Sequence, residues 1–250
     1  FHVDITPEQV ETLVESLTRL VSSELSHPGV VAVHELNSDE DGRFYFTMDK
    51  VEGKEFRDVM RYARDGTQGW DRDRLLEVLL RVCDTLEYAH SRGVVHRDVK
   101  PSNIMVGQFG EVYMMDWGLA RILADKEDEP IHDILSDTLP SSIPGSTVIT
   151  RDGAIVGTPS YMSPEQANPE GDEIGAWTDV YAIGAILYEI LSGRPPYRTG
   201  DTPLPGHKVL QLLKKGPPRD IKEMSSNVPN DLAEIFLQPE GDTRLDDCEY

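Results

Sequence analysis

The string His96-Arg97-Asp98-Val99-Lys100-Pro101-Ser102-Asn103 is followed, after a run of apolar, strand-like residues, by Met115-Asp116-Trp117-Gly118. The first string supplies a carboxylate base (Asp98), a cation (Lys100) and an amide (Asn103). The second supplies another carboxylate, Asp116, on a tight glycine turn. A carboxylate such as Asp98, within hydrogen-bond reach of a hydroxyl, orients it and takes its proton. Lys100, two residues on, faces the same site and neutralises charge on a transferred phosphoryl group. The amide oxygen of Asn103 and the carboxylate of Asp116 are hard donors of the kind magnesium takes together with phosphate oxygens. The parts together suit a hydroxyl attacking a phosphate beside bound magnesium. A single Asp or Asn reads as a turn cap; this whole set in this order does not.

Helices and short strands must carry these residues. Leu75, Leu76, Leu79, Val82, Cys83, Leu86 and Ala89 recur on one face of a helix over 72–91, which ends at Gly93 and feeds Val94-Val95 into the first string. Residues 179–191 are apolar on nearly all sides, so that helix is expected to be buried, ending at Gly193-Arg194-Pro195-Pro196. Further upstream, Thr6-Pro7-Glu8-Gln9 reads as a capped helix start, followed by Val10, Leu13, Val14, Leu17, Leu20 and Val21 at helical spacing. His27-Pro28-Gly29 stops that helix. Residues 30–33 and 44–48 are predicted strands, joined by a polar turn over 37–42. Beyond Glu52-Gly53 the chain is expected to be mostly helical, apart from a long polar loop over 121–154 marked by Pro130, Pro140, Pro144 and Gly145. The last dozen residues carry no clear helix.

Composition limits the partners. A chain of 250 residues has length for a real core, and its 38% apolar content is ordinary. A net charge of −21 argues against nucleic acid and anionic membranes, whose phosphates would repel it. Cys83 and Cys248 make no disulfide framework and fit a reducing, cytoplasmic setting, with Cys83 expected in the core. No signal-peptide pattern opens the sequence, and the longest apolar stretch, near 182–191, is too short to span a bilayer.

The two strings resemble HRDxKxxN and DFG, the catalytic-loop and metal-binding motifs of eukaryotic-type protein kinases. Gly157-Thr158-Pro159-Ser160-Tyr161-Met162-Ser163-Pro164-Glu165 resembles the family's substrate-docking loop and its APE-type end, with Ser163 in the alanine place. Lysine followed by proline at Lys100, together with Thr158, resembles serine/threonine rather than tyrosine kinases. The Asp-Trp-Gly variant, Thr150-Arg151-Asp152-Gly153 and Met162-Ser163-Pro164-Glu165-Gln166-Ala167 look most like bacterial members. The resemblance implies ATP and Mg2+ as cofactors, and a protein substrate bearing Ser or Thr. It implies Asp98, Lys100 and Asn103 as catalytic residues, Asn103 and Asp116 on the metal, and Gly157, Thr158 and Pro159 in docking. It places Met48 at the gatekeeper position, backbone groups of Asp49 and Val51 on the purine edge, and Met105 under the ring; both methionines also read as simple core filling. Asp179 resembles the aspartate that anchors the catalytic-loop backbone, or is a helix cap. His96, Trp117 and Glu165 are implied structural residues, and the indole N–H of Trp117 then needs an acceptor. Arg97 is implied as the receiver of a phosphate on the activation segment, with Thr150 as its source.

The same resemblance leaves places unfilled. Only Gly29 and Gly42 precede the hinge, neither in a GxGxxG string, and no lysine precedes Lys50. The helix glutamate that should pair with such a lysine falls on Thr18, with Glu15 three residues earlier. Arg244 is the candidate partner of Glu165, and the final helix is expected to be missing. The implied fold is α+β and protein-kinase-like: residues 1–52 a partial N-lobe of one helix and a two-stranded hairpin, residues 53–250 the helical C-lobe, with the activation segment over about 116–165. Two functions follow: a truncated serine/threonine kinase inactive alone, or a non-catalytic pseudokinase-type binding module. An uncovered strand edge also implies self-association.

Overall fold

The computed structural model describes residues 26–38, 44–117, 121–122, 148–149, 155–156, 159–168, 174–198, 200, 204–225 and 228–234. Chain order is β1 (Val33–Ser38), β2 (Phe44–Met48), β3 (Gly53–Glu55), α1 (Phe56–Arg64), α2 (Arg72–Ser91), β4 (Val94–Val95), β5 (Ile104–Gly107), β6 (Val112–Met114), β7 (Arg121–Ile122), β8 (Val148–Ile149), β9 (Ile155–Val156), α3 (Ala176–Ser192), α4 (Gly206–Leu213), α5 (Ile221–Met224) and α6 (Asn230–Glu234), with single 3-10 turns at Pro101–Asn103 and Pro159–Tyr161. This is the α+β composition expected. The upstream helix, residues 6–25, lies outside the described residues, as does Arg244.

The core forms where α2 and α3 meet the small sheet. Asp71 caps α2 by accepting from the Arg74 N–H at 3.0 Å. One face then buries Leu75, Val78, Leu79, Val82, Leu86 and Ala89. Cys83 sits beside that face and is only partly buried, not in the core proper; burial and neighbouring Asp84 push its thiol pKa up. The apolar helix α3 begins at Ala176, three residues before the sequence pattern suggested, and buries Ile186, Leu187, Tyr188 and Leu191 against α2. Gly193 closes α3 at φ +75°, a conformation that glycine adopts without a Cβ clash. Each such fully buried aliphatic side chain contributes about 1.5–3 kcal/mol.

The strands differ from the sequence reading in three places. The first runs over Val33–Ser38 and pairs antiparallel with Phe44–Met48; Val30 instead makes a single parallel bridge to Met114. Asn37 and Ser38 therefore belong to the strand rather than to the turn. Gly53–Glu55, expected to lead into helix, pairs with β5 in a three-stranded sheet ordered β3-β5-β6. Short ladders also interrupt the long polar stretch: β7 pairs with β4, and β8 with β9. Val148, Ile149, Ile155 and Val156 are β-branched, which suits such pairing.

The turn at His27–Gly29 docks the small hairpin onto the helical part. Its His27 ring stacks on Tyr88 of α2, with ring centroids 5.1 Å apart. The Gly29 carbonyl accepts from the Met114 N–H at 2.7 Å. A Cβ on Gly29 would stand 2.1 Å from the Thr85 hydroxyl oxygen, so only glycine lets the turn come this close.

Candidate active site

The loop between β4 and β5 gathers the first string around one carboxylate. Asp98 Oδ2 accepts from Lys100 Nζ at 2.5 Å and from Asn103 Nδ2 at 3.0 Å. Asn103 Nδ2 also donates to the Asp98 carbonyl at 2.9 Å. The Asp98 and Lys100 side chains are only 10% and 7% exposed, so this ion pair acts with little screening by water. The amide nitrogen of Asn103 is thus turned towards Asp98, which points its oxygen away from Asp98; among the described residues that oxygen has only a long, 3.5 Å contact from the Ser102 hydroxyl.

His96 joins this loop to the second string. Its Nδ1 accepts from the Asp98 N–H at 3.2 Å, and its Nε2 lies 2.9 Å from the Met115 carbonyl. A backbone N–H only donates and a carbonyl only accepts, so the proton sits on Nε2. Trp117 packs edge-on against His96, with centroids 4.7 Å apart, and its indole N–H donates to the Met114 carbonyl at 2.9 Å. Asp116 follows Met115 with an exposed side chain at φ +59°. Arg97, beside Asp98, is also left-handed at φ +69°. Non-glycine residues in this region carry strain of about 1–3 kcal/mol that surrounding contacts must hold.

Asp179 supplies much of that hold. It is 1% exposed and lies in the first turn of α3, where Gly175 and not Asp179 is the cap. Its Oδ2 accepts from the His96 N–H, and its Oδ1 from the Arg97 N–H, both at 2.8 Å. His90 Nε2 stands 2.8 Å from Oδ2 as well. Glu165 accepts from the Thr178 hydroxyl at 2.7 Å. Pro159 is buried in its 3-10 turn, and Ser163 is fully buried, whereas Gly157, Thr158 and Thr150 lie outside the described residues. The Tyr161 hydroxyl donates to Glu189 of α3 in a part-buried pair. Burial raises both groups' pKa values; the Tyr161 hydrogen bond, Arg64 and Arg198 pull Glu189 back only in part.

The purine-edge residues are less gathered. Met48 is 44% exposed, and Met105 is half-buried on β5. The Asp49 N–H is taken by the Ala32 carbonyl at 3.0 Å, so of that residue's backbone only the carbonyl remains for a purine. A cleft of about 570 Å³ is lined by Asp49 and Val51, together with Val30, Phe109 and Tyr113, but by neither methionine nor Asp116. Sequence reasoning missed His90, Thr178, Glu189 and Gln166. Only Gln166 had a visible signal, as the last residue of a Ser-x-x-Gln capping pattern from Ser163.

The donor set can be tested against magnesium. Among the described residues no three His, Cys, Asp or Glu side chains cluster as a metal cage. A carboxylate and an amide oxygen on neighbouring strand ends fit a cation that keeps waters and takes phosphate oxygens.

These features are those of a phosphotransferase lobe, and the protein kinase domain family matches residues 15–245: the chain belongs to that family, which generally uses ATP and Mg2+. Its relatives include the serine/threonine-protein kinase PknD of Protochlamydia amoebophila, 36% identical over 188 residues, covering 72% of this chain and 18% of the relative. PknD of Chlamydia caviae is 40% identical over 187 residues, covering 71% and 19%. The serine/threonine-protein kinase PknB of Mycobacterium tuberculosis is 36% identical over 183 residues, covering 72% and 25%. The chain thus spans between 18% and 25% of the length of these curated relatives. Among the described residues no helix is long and apolar enough to cross a membrane.

Proposed function

We propose that this chain carries the catalytic lobe of a serine/threonine protein kinase, transferring the γ-phosphoryl group of ATP to protein Ser or Thr hydroxyls in the cytoplasm. The observation that supports it most is the convergence of Lys100 Nζ and Asn103 Nδ2 on the largely buried carboxylate of Asp98. Asp98 orients the acceptor hydroxyl and takes its proton as the oxygen bonds to phosphorus and ADP departs. Lys100 then divides its charge between Asp98 and the phosphoryl oxygens. Asn103 Oδ1 and the Asp116 carboxylate would hold magnesium, which neutralises phosphate charge. The Asp49 carbonyl and Val51 backbone would meet the purine.

A second reading, a non-catalytic binding module, is favoured by one observation: none of residues 1–49 is a lysine. The 250 residues by themselves therefore clamp the ATP phosphates weakly, and their turnover is slow. Radiolabelled phosphate transfer from magnesium ATP to β-casein tests both. Asp98→Asn lowers transfer at least about 100-fold if Asp98 is the base. Transfer unchanged by this substitution refutes the catalytic assignment, and no transfer with no nucleotide binding decides for the module.

A further inference from the structure

Gln166 reaches across from the end of the docking segment to the residue before Asp98. Its Nε2 donates to the Arg97 carbonyl at 2.7 Å, although the two residues lie 69 apart in sequence. Its Oε1 accepts from the Ser163 N–H at 3.1 Å and contacts the Ser163 hydroxyl at 3.3 Å. The amide orientation is forced, because the Ser163 N–H has only a proton to give and the Arg97 carbonyl only lone pairs. One side chain therefore caps its own turn and grips the catalytic loop.

The grip falls on a strained residue. Arg97 holds φ +69°, with its N–H tied to Asp179 Oδ1 at 2.8 Å and its C=O tied to Gln166. The two bonds come from α3 and from the docking segment, on opposite sides of Arg97. The Arg97 carbonyl and the Asp98 N–H share one rigid peptide plane. Fixing that carbonyl fixes where Asp98 leaves the loop. Asp179 fixes only the two peptides before this plane, and the plane's other end, the Asp98 N–H, has the longer 3.2 Å bond to His96 Nδ1.

We propose that Gln166 is a positioning residue for Asp98, locking the Arg97–Asp98 peptide plane so that an ordered docking segment and a competent base occur together. This rests on the kinase reading above. Gln166→Glu keeps the acceptor towards Ser163 and replaces the donor towards Arg97 with a second oxygen. Gln166→Met keeps the volume and removes both bonds, and serves where the glutamate variant fails to fold.

Backbone amide exchange by NMR and phosphate transfer to β-casein are read on the full 250-residue chain. Loss of the clamp raises exchange at Arg97 and Asp98 about five- to tenfold, the worth of one hydrogen bond, with α2 and α3 core amides unchanged. Turnover falls about 10–100-fold, while KM for ATP stays within about twofold, because misplacing a catalytic group by an ångström has that effect. Unchanged exchange in the catalytic loop overturns the proposal, whatever the activity. Raised exchange with unchanged turnover also overturns it, leaving a merely structural staple. Wild-type protein that neither transfers phosphate nor binds magnesium ATP defeats the kinase reading instead, and the exchange measurement then decides by itself whether the clamp exists.

Discussion

Replacing Asp179 with alanine should be among the most damaging single changes in this chain. Its carboxylate receives three donors at 2.8 Å: the His96 and Arg97 N–H groups, and His90 Nε2. The site is 1% exposed, so water does not replace what is lost. Each orphaned buried N–H costs about 1–3 kcal/mol, and Asp179→Ala orphans both backbone N–H groups at once. The expected loss is about 2–6 kcal/mol, which at about 2–4 °C per kcal/mol for a chain of this size lowers the melting temperature by about 4–24 °C. Asp179→Asn should fall between, because one oxygen still accepts while its NH2 faces a second N–H. Urea denaturation followed by circular dichroism measures both variants against wild type. An Asp179→Ala midpoint within about 0.5 kcal/mol of wild type, the range of an ordinary surface change, would refute the reasoning.

Three further outcomes follow from local geometry. Asp116→Ala should weaken magnesium-ATP binding at least about tenfold by calorimetry, with little change in nucleotide binding when magnesium is withheld. Burial raises the pKa of Glu189, so the folded chain holds that proton longer than the unfolded chain, and stability falls as pH rises through the usual glutamate range. Glu189→Gln keeps an acceptor for Tyr161 without titrating; its urea midpoint should gain on wild type as pH rises from the usual glutamate range upward, and a constant difference would contradict this. Gly29→Ala places a Cβ 2.1 Å from the Thr85 hydroxyl oxygen and should cost about 1–3 kcal/mol in the same denaturation assay.

What the sequence made legible was local. Helix α2 announced itself because its apolar face repeats at helical spacing and Gly93 ends it. The two strings stood out because their chemistry lies within a few residues of each other. Strand β3 was illegible because Gly53-Lys54-Glu55 has no apolar alternation; it is a strand only because β5 offers it a partner. The start of α3 was read late because Ala176, Trp177 and Thr178 do not extend the continuous apolar run, yet they complete the turn that aims Asp179. The contacts that hold the catalytic loop were hidden for a different reason. His90 meets Asp179 across 89 residues, and Gln166 meets Arg97 across 69, distances at which periodicity carries no signal.

The left-handed backbone at Arg97 and Asp116 has an evolutionary consequence. Folding alone would favour glycine at both places, since it bears no Cβ penalty there, with arginine at 97 paying more than aspartate at 116. On the kinase reading proposed above, arginine and aspartate stand there because phosphoryl transfer rewards them. In a lineage released from catalysis, drift at these two positions should therefore run towards greater stability rather than decay. Such a descendant would be recognisable as a tougher protein than its working ancestor, and residues 97 and 116 would be among the first to record the retirement.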